Sequence, residues 1–277
     1  MDIKITTLSE NTANMGYMAE WGLSLYIEVE GLKILLDTGL SISAMHNAQL
    51  MGIDFNNLDF IVISHGHVDH TGGLRNILKC IRHDIKVIAH PDIFTAKYAS
   101  REDGSTEYIG IPYYREELEN KGAVFNLTTE PFYITDSILT TGEVPMTTPY
   151  EQIDRFLLEK DGNKYKPDKL ADDLSLIIKA PYGLVIVAGC AHRGIINIIH
   201  HARNITGIQQ IYSIIGGIHL IRSTSERKEN TIADLKKINP EKLAVSHCTG
   251  FEASARLMTE FGDAFINNNA GGILTMP

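Results

Sequence analysis

Three imidazoles and one carboxylate fall within six consecutive residues of this 277-residue chain, His65-Gly66-His67-Val68-Asp69-His70. Divalent metals take nitrogen and oxygen ligands of these kinds, so the stretch points to a metal-dependent enzyme with ligands for up to two ions in one loop. Side chains at i and i+2 of an extended segment point the same way, which lets His65 and His67 reach one ion together. Gly66 between them lets the backbone come close with no side chain in the way. Past Val68 the chain must turn, and the turn re-aims Asp69 and His70 toward a neighbouring ion. The bland alternative, histidines in a polar surface turn, suits a lone His better than four ligand-type residues in six.

The elements that position this loop are legible on both sides of it. Residues 60–63 are an apolar run that reads as a buried strand, and Thr71-Gly72-Gly73-Leu74 leads into a helix expected over 73–81. Strands are expected at 3–8, 23–29 and 33–36, with Glu30-Gly31 as a hairpin turn, and again at 85–89. A helix is expected over 41–50. The last hundred residues repeat the rhythm: strands at 174–179, 184–188, 211–215 and 243–246, and helices at 194–203, 225–238 and 250–261. Two such sets suggest an α/β protein, a four-layer sandwich of two sheets with helices outside, in a single domain over 1–277. Periodicity weakens between residues 91 and 170, around Tyr108-Ile109-Gly110-Ile111-Pro112, a charged helix near 113–120 and the polar stretch 159–173. That inserted segment reads as a lid or substrate wall, or as a peripheral excursion.

Composition narrows the function classes. Hydrophobic content of 44% and charged content of 21% are those of a soluble globular protein. No apolar run approaches the ~20 residues that cross a bilayer, so no membrane partner is expected. Met1-Asp2-Ile3-Lys4-Ile5 lacks the layout of a signal peptide, and three cysteines (Cys80, Cys190 and Cys248) are too few for a disulfide framework. The expected setting is therefore the cytoplasm. A net charge of −9 argues against nucleic acid, which needs a basic face. It is compatible with a small anionic substrate, because a metal centre and a few cations dominate the potential inside a cleft.

The His-x-His-x-Asp-His loop, preceded by Leu35-Leu36-Asp37-Thr38-Gly39, resembles the metallo-β-lactamase superfamily, whose fold is an αββα sandwich with a one- or two-metal site at one edge. Asp37, the loop and His247 each follow a strand, so the resemblance spans most of the chain. The segments Thr141-Gly142-Glu143-Val144-Pro145, Gly189-Cys190-Ala191-His192-Arg193-Gly194, Ile215-Gly216-Gly217-Ile218-His219-Leu220 and His247-Cys248-Thr249-Gly250 resemble a narrower branch, the dihydropterin synthases of the methanopterin pathway. Carried over by position, the resemblance implies that His65 and His67 bind a first metal. It implies Asp69, His70 and His247 for a second. Asp37 would brace the loop through hydrogen bonds without touching metal, much the work of a turn-capping Asp.

The chain departs from the superfamily pattern in its later half. Cys190 stands where most two-metal members place a bridging Asp; it is either a thiolate ligand or a small buried residue. A further His is also missing. His192, two residues past Cys190, would replace it at the first metal or else face substrate. Glu143 competes for the same vacancy, or is an outer hydrogen-bond acceptor or a solvated turn residue. The resemblance makes His219 a substrate-pocket residue that donates to an anionic oxygen, catalytic together with Asp69. Arg193 and Arg222 are candidates to recognise phosphate or carboxylate, with an ordinary surface position as the alternative.

These readings imply a metal-dependent hydrolase or transferase with one or two divalent ions, zinc first and iron or manganese as alternatives. The substrate would be small, anionic and phosphorylated, of the pterin type. Two alternatives remain on the same scaffold: a lactonase or thioesterase, and a metal- or ligand-binding sensor without turnover.

Overall fold

Short apolar strands closed by tight turns build the first part of the chain. The computed structural model describes residues 1–277, which divide into two compact units. The first contains Met1–Thr128, Ile153–Asp172 and Asn269–Pro277; the second contains Thr129–Gln152 and Asp173–Asn268. No helix is long and apolar enough to cross a membrane.

In the first unit, β1 (Ile3–Ser9), β2 (Ser24–Val29), β3 (Leu32–Leu36), β4 (Phe60–Val62), β5 (Ile85–Ala89), β8 (Ala123–Leu127) and β16 (Ile273–Met276) form one sheet in the order β16-β1-β2-β3-β4-β5-β8. The β2–β3 turn holds Glu30 and Gly31 at φ of 53° and 78°, the left-handed pair that a two-residue hairpin requires. From β3 onward the strands β3, β4, β5 and β8 run parallel, so their carboxyl ends share one edge. That is the edge where open parallel sheets place ligands. Helix α1 (Ser43–Leu50) contributes Ala44 and Ala48 to a core with Leu35, Ile61, Ile63 and Val87. Each fully buried aliphatic side chain there adds ~1.5–3 kcal/mol of transfer free energy.

The helix expected over 73–81 is two short ones, α2 (Val68–Thr71) and α3 (Leu74–Leu78). Gly72 and Gly73 pack their backbone against the carbonyls of Leu40 and Thr38, where a Cβ would collide, and the chain bends to make that approach. Part of the aperiodic segment 91–170 is a second, four-stranded sheet of this unit. It consists of β6 (Lys97–Ser100), β7 (Thr106–Tyr108), β10 (Leu157–Asp161) and β11 (Lys164–Pro167), in the order β11-β10-β6-β7. Strands β7 and β11 are exposed along their whole length, so no apolar alternation marks them. The charged helix is α4 (Arg115–Glu119).

The second unit holds a five-stranded sheet in the order β15-β14-β13-β12-β9, from β9 (Ile138–Thr140), β12 (Ser175–Ala180), β13 (Gly183–Ala188), β14 (Ile211–Gly216) and β15 (Lys242–Val245). Every residue of β13 is buried, which explains its continuous apolar run. Strands β13, β14 and β15 are parallel and again share a carboxyl edge. The connections are α5 (Ile195–Thr206) and α6 (Ser225–Ile238), followed by α7 (Phe251–Phe261). Ile195, Ile198, Ile199 and Ala202 of α5 join Ile232 and Leu235 of α6 and Leu257 of α7 in this unit's own core. Gly207 and Asn239 end α5 and α6 in the left-handed conformation.

Candidate functional site

The carboxyl edge of the first unit carries Asp37 after β3 and the Ser64–His70 loop after β4. Asp37 is fully buried in the left-handed region (φ 58°), a conformation Asp tolerates better than most residues. Its Oδ1 accepts the Ser64 N–H at 2.7 Å; its Oδ2 accepts Ser64 Oγ–H and His70 Nδ1–H, both at 2.7 Å. Since the Ser64 hydroxyl gives its proton to Asp37, its oxygen accepts from His65 Nδ1, 2.9 Å away. One carboxylate thus fixes the tautomer of two imidazoles and leaves Nε2 of His65 and of His70 with lone pairs, the arrangement by which outer partners orient metal-binding histidines.

His65, His67 and His70 are all buried, and their rings cluster. His65 lies 4.6 Å from His67 and 4.2 Å from His70 between ring centroids. His65 Nε2 and His67 Nδ1 face one another at 3.0 Å. Burial pushes the His67 imidazole down to about 3, against the pull of Asp69, so it is neutral as a ligand must be. Asp69 is partly exposed in the first turn of α2; its Oδ2 lies 3.9 Å from His70 Nε2 and accepts Trp21 Nε1–H at 3.1 Å. Convergent imidazoles beside a carboxylate fit a divalent ion of the zinc, iron or manganese kind.

The carboxyl edge of the second unit supplies the other residues expected from the sequence. Cys190 and His192 follow β13, His219 follows β14 and His247 follows β15; all four are buried. His192 and His219 stack with ring centroids 4.0 Å apart. Gly217 N donates to Gly189 O at 2.9 Å and Ser246 N to Gly216 O at 2.9 Å, so backbone bonds lash the three loops together. Ala191, His219 and His247 all sit at positive φ (54°, 44° and 57°), strain of a kind that gathers at functional sites. Cys248 Sγ lies 3.5 Å from Cys190 O. Burial opposes ionisation of Cys248, but the Cys190 thiol and the nearby His247 and His219 outweigh it and hold the thiol down to about 5.

The remaining candidates lie further out. Arg193 is half-buried, its N–H donating to Asp173 Oδ2 at 2.9 Å, and Arg222 is exposed three residues past His219. Glu143 is exposed on the turn after β9, its backbone N–H on Thr129 O at 2.8 Å. Sequence reasoning passed over Ser64, Trp21 and Asp172. A serine before a histidine and a lone tryptophan carry no spacing signal. Asp172 accepts the Gly66 N–H at 2.8 Å from a hundred residues away.

Parallel-strand edges bearing buried imidazoles, a thiol and carboxylates are what a metal-binding α/β protein presents. The metallo-beta-lactamase superfamily matches residues 22–247, and the chain belongs to that superfamily. It is 35% identical, over 99% of its length and 96% of the relative's, to the 7,8-dihydropterin-6-methyl-4-(beta-D-ribofuranosyl)-aminobenzene-5'-phosphate synthase of Methanocaldococcus jannaschii. A second protein of that organism, uncharacterized, is 35% identical over 91% of this chain and 93% of its own. Among solved structures, Tm1679, a metal-dependent hydrolase of the beta-lactamase superfamily, superposes with a TM-score of 0.85 at 24% identity over 98% of each chain. Zn(2+)-bound PqqB from Methylobacterium extorquens superposes at 0.59 with 14% identity, covering 98% of this chain and 99% of its own. The fold is the metallo-β-lactamase fold, which implies divalent metal binding.

Proposed function

We propose that the chain is a metal-dependent enzyme acting on a small phosphorylated substrate of the dihydropterin type. The observation that carries this reading is the braced histidine loop, in which Asp37 and Ser64 hold Nδ1 of His70 and of His65 and so leave Nε2 as the ligand atom of each ring. In this reading His65 and His67 with His192 hold one ion, and Asp69, His70 and His247 hold the other. Cys190, buried at the carboxyl edge of the second unit, is the remaining candidate ligand. A divalent ion held there would supply polarisation of a phosphoryl oxygen and countercharge for a leaving phosphate.

The protein's own side chains do the rest. Arg193 and Arg222 take the phosphate by charge-assisted hydrogen bonds. Asp69 orients the nucleophile, and His219 gives a proton to the departing oxygen. The relative's name as a synthase favours group transfer: an aromatic amine nitrogen would bond to the pterin methylene carbon as the carbon–oxygen bond to diphosphate breaks, the electron pair leaving with diphosphate and the amine's proton passing to water. Hydrolysis of a phosphoester would use the same groups with water as nucleophile.

One observation favours a second reading, an acyl hydrolase. A cavity of about 830 Å³ in the first unit is walled mainly by Phe94, Tyr108, Ile111 and Tyr113, with Arg115 and Glu116 also in the lining, a largely apolar surface suited to an acyl chain as well as to an aromatic ring. The test is metal content together with diphosphate release, phosphodiesterase, lactonase and thioesterase activity, in the wild type and in His67→Ala. Loss of metal and of diphosphate release together supports the proposal. Activity that survives complete metal removal ends it, and turnover confined to lactones or thioesters transfers the case to the second reading.

A further inference from the structure

Gly66, between the two histidines of the loop, donates its N–H to Asp172 Oδ2 at 2.8 Å. The other oxygen of Asp172 accepts from Lys97 Nζ at 2.9 Å, and Lys97 bonds Asp168 Oδ2 at the same distance. The three side chains are 1%, 0% and 3% exposed for Lys97, Asp172 and Asp168. Lysine is almost never so deeply buried unless paired, and such a cluster gives up much hydration to form. Apolar side chains of like volume would pack the place as well, so stability alone does not account for the charges. What they uniquely supply is an acceptor of fixed direction at Gly66.

The surrounding backbone leaves the loop little slack. Lys97 opens β6; its carbonyl accepts Ile109 N at 3.0 Å, Ile109 O accepts Val68 N at 2.7 Å, and Gly110 pairs with His67 in an isolated bridge. On another side the Gly66 backbone lies against Ile93 O, where a Cβ would collide. Residues flanking the small four-stranded sheet therefore grip the loop: Asp172 and Ile93 at Gly66, Gly110 at His67 and Ile109 at Val68.

We propose that Asp172, held in place by Lys97, is a positioning residue for the metal loop, fixing the Gly66 amide and thereby the angle at which His65 and His67 present their nitrogens. The proposal rests on the metal-binding reading of that loop. Asp168 balances the charge of Lys97 and instead accepts the Leu170 N–H at 2.7 Å, so it has no direct line to the loop.

That difference supplies the control. Asp172→Asn and Asp168→Asn each remove one negative charge beside Lys97, but only Asp172 touches Gly66. Three quantities separate them: zinc affinity by competition with a chromophoric chelator, thermal unfolding of the metal-free protein, and the ring-nitrogen resonances of His65 and His67 without metal. Both variants should unfold at lower temperature. Asp172→Asn should also weaken zinc binding ~10–100-fold and shift both rings' resonances, whereas Asp168→Asn should stay within about threefold of wild type. Equal weakening in the two variants, or an unchanged affinity in Asp172→Asn, overturns the proposal. Should Asp172→Asn not fold, Asp172→Glu keeps the charge on Lys97 while displacing the oxygen from Gly66, and it is scored the same way. A wild type that binds no zinc, with ring shifts still confined to the position-172 variants, removes the metal reading but retains the positioning role.

Discussion

The two units bring ligand-type residues to the same kind of place, the carboxyl ends of parallel strands, but hold them there by different means. In the first unit one six-residue loop carries His65, His67, Asp69 and His70, and buried carboxylates brace it: Asp37 on Ser64 and His70, Asp172 on Gly66. In the second, three loops contribute Cys190 and His192, His219 and His247. Their bracing is mostly backbone, with left-handed residues at 191, 219 and 247 and main-chain bonds between loops. A side-chain brace fails when one functional group is removed. A backbone brace fails when a Cβ or a φ angle is wrong. The consecutive residues Asp172 and Asp173 show a further parallel, each accepting a main-chain N–H from its own unit's loop, Gly66 and Arg193 respectively.

Asp37→Ala tests the side-chain brace most severely. Three buried donors lose their acceptor at once, each at ~1–3 kcal/mol, so destabilisation of at least ~3 kcal/mol is expected in denaturant unfolding. Asp37→Asn keeps the shape but must turn an NH₂ toward one of those donors. Zinc affinity should fall ~10–100-fold, as for other outer partners of metal-binding histidines. An affinity within about threefold of wild type would show that the loop holds its own geometry.

Gly217→Ala is the corresponding break in the second unit. Its Cβ would meet Cys248 Sγ and Gly189 O at 2.5 Å, so ~1–3 kcal/mol of overpacking strain is expected. Gly66→Ala drives a Cβ into the Ile93 carbonyl at a similar cost. If the contrast between the units is right, a second change separates them. Ala191→Gly relieves left-handed strain of ~1–2 kcal/mol, less the entropy that glycine loses, and leaves the second unit no less stable. Thermal unfolding of the two glycine variants and of Ala191→Gly decides this; marked destabilisation by Ala191→Gly contradicts a backbone brace under strain.

Glu151 sharpens the comparison, because it is a carboxylate bracing the second unit. It accepts Ile196 N at 2.9 Å and Asn197 N at 2.8 Å in the first turn of α5, just past the Cys190–Arg193 loop. Burial pushes its carboxyl up to about 7 even against those two donors and Arg227. Between the unfolded value near 4.5 and 7 the folded state therefore binds more protons than the unfolded state. Its contribution is complete below about 4.5 and is lost as pH rises through 7, a decline of about 3 kcal/mol. Urea unfolding as a function of pH should show that slope in the wild type and a flatter profile in Glu151→Gln. Parallel profiles would place the titration elsewhere.

The same contrast explains what was legible in the sequence. The histidine loop announces itself because all its ligands lie within six residues, and both parallel strand sets are marked by unbroken apolar runs such as Leu184–Ala188. His219 and His247 needed a family resemblance, since a single His after a strand has no spacing to read. Lys97 and Asp172 were beyond reach: Asp172 meets Gly66 from 106 residues away, and Lys97, which holds it, opens a strand of a sheet whose outer strands are exposed and show no alternation. The split of 73–81 into two helices depends on Leu40 and Thr38 approaching Gly72 and Gly73, a tertiary contact with no local sign.

Trp21 offers the smallest effect and the finest test of where the side-chain brace ends. It is the only tryptophan of the chain, it is 49% exposed, and its indole N–H donates to Asp69 Oδ2 at 3.1 Å. A hydrogen bond so open to water is worth ~1 kcal/mol or less. Trp21→Phe should therefore change stability by no more than that, and should leave zinc affinity within about threefold. In the wild type the same indole is a built-in probe: zinc that engages the Asp69 carboxylate alters the polarity at Nε1 and shifts the emission. Asp69→Asn keeps a hydrogen-bond acceptor for the indole but offers a poor ligand, so it should lose the zinc-dependent shift while retaining tryptophan emission. A tenfold or larger loss of affinity in Trp21→Phe would mean that the brace reaches the exposed rim of the loop and that Asp69 is held as firmly as His65 and His70.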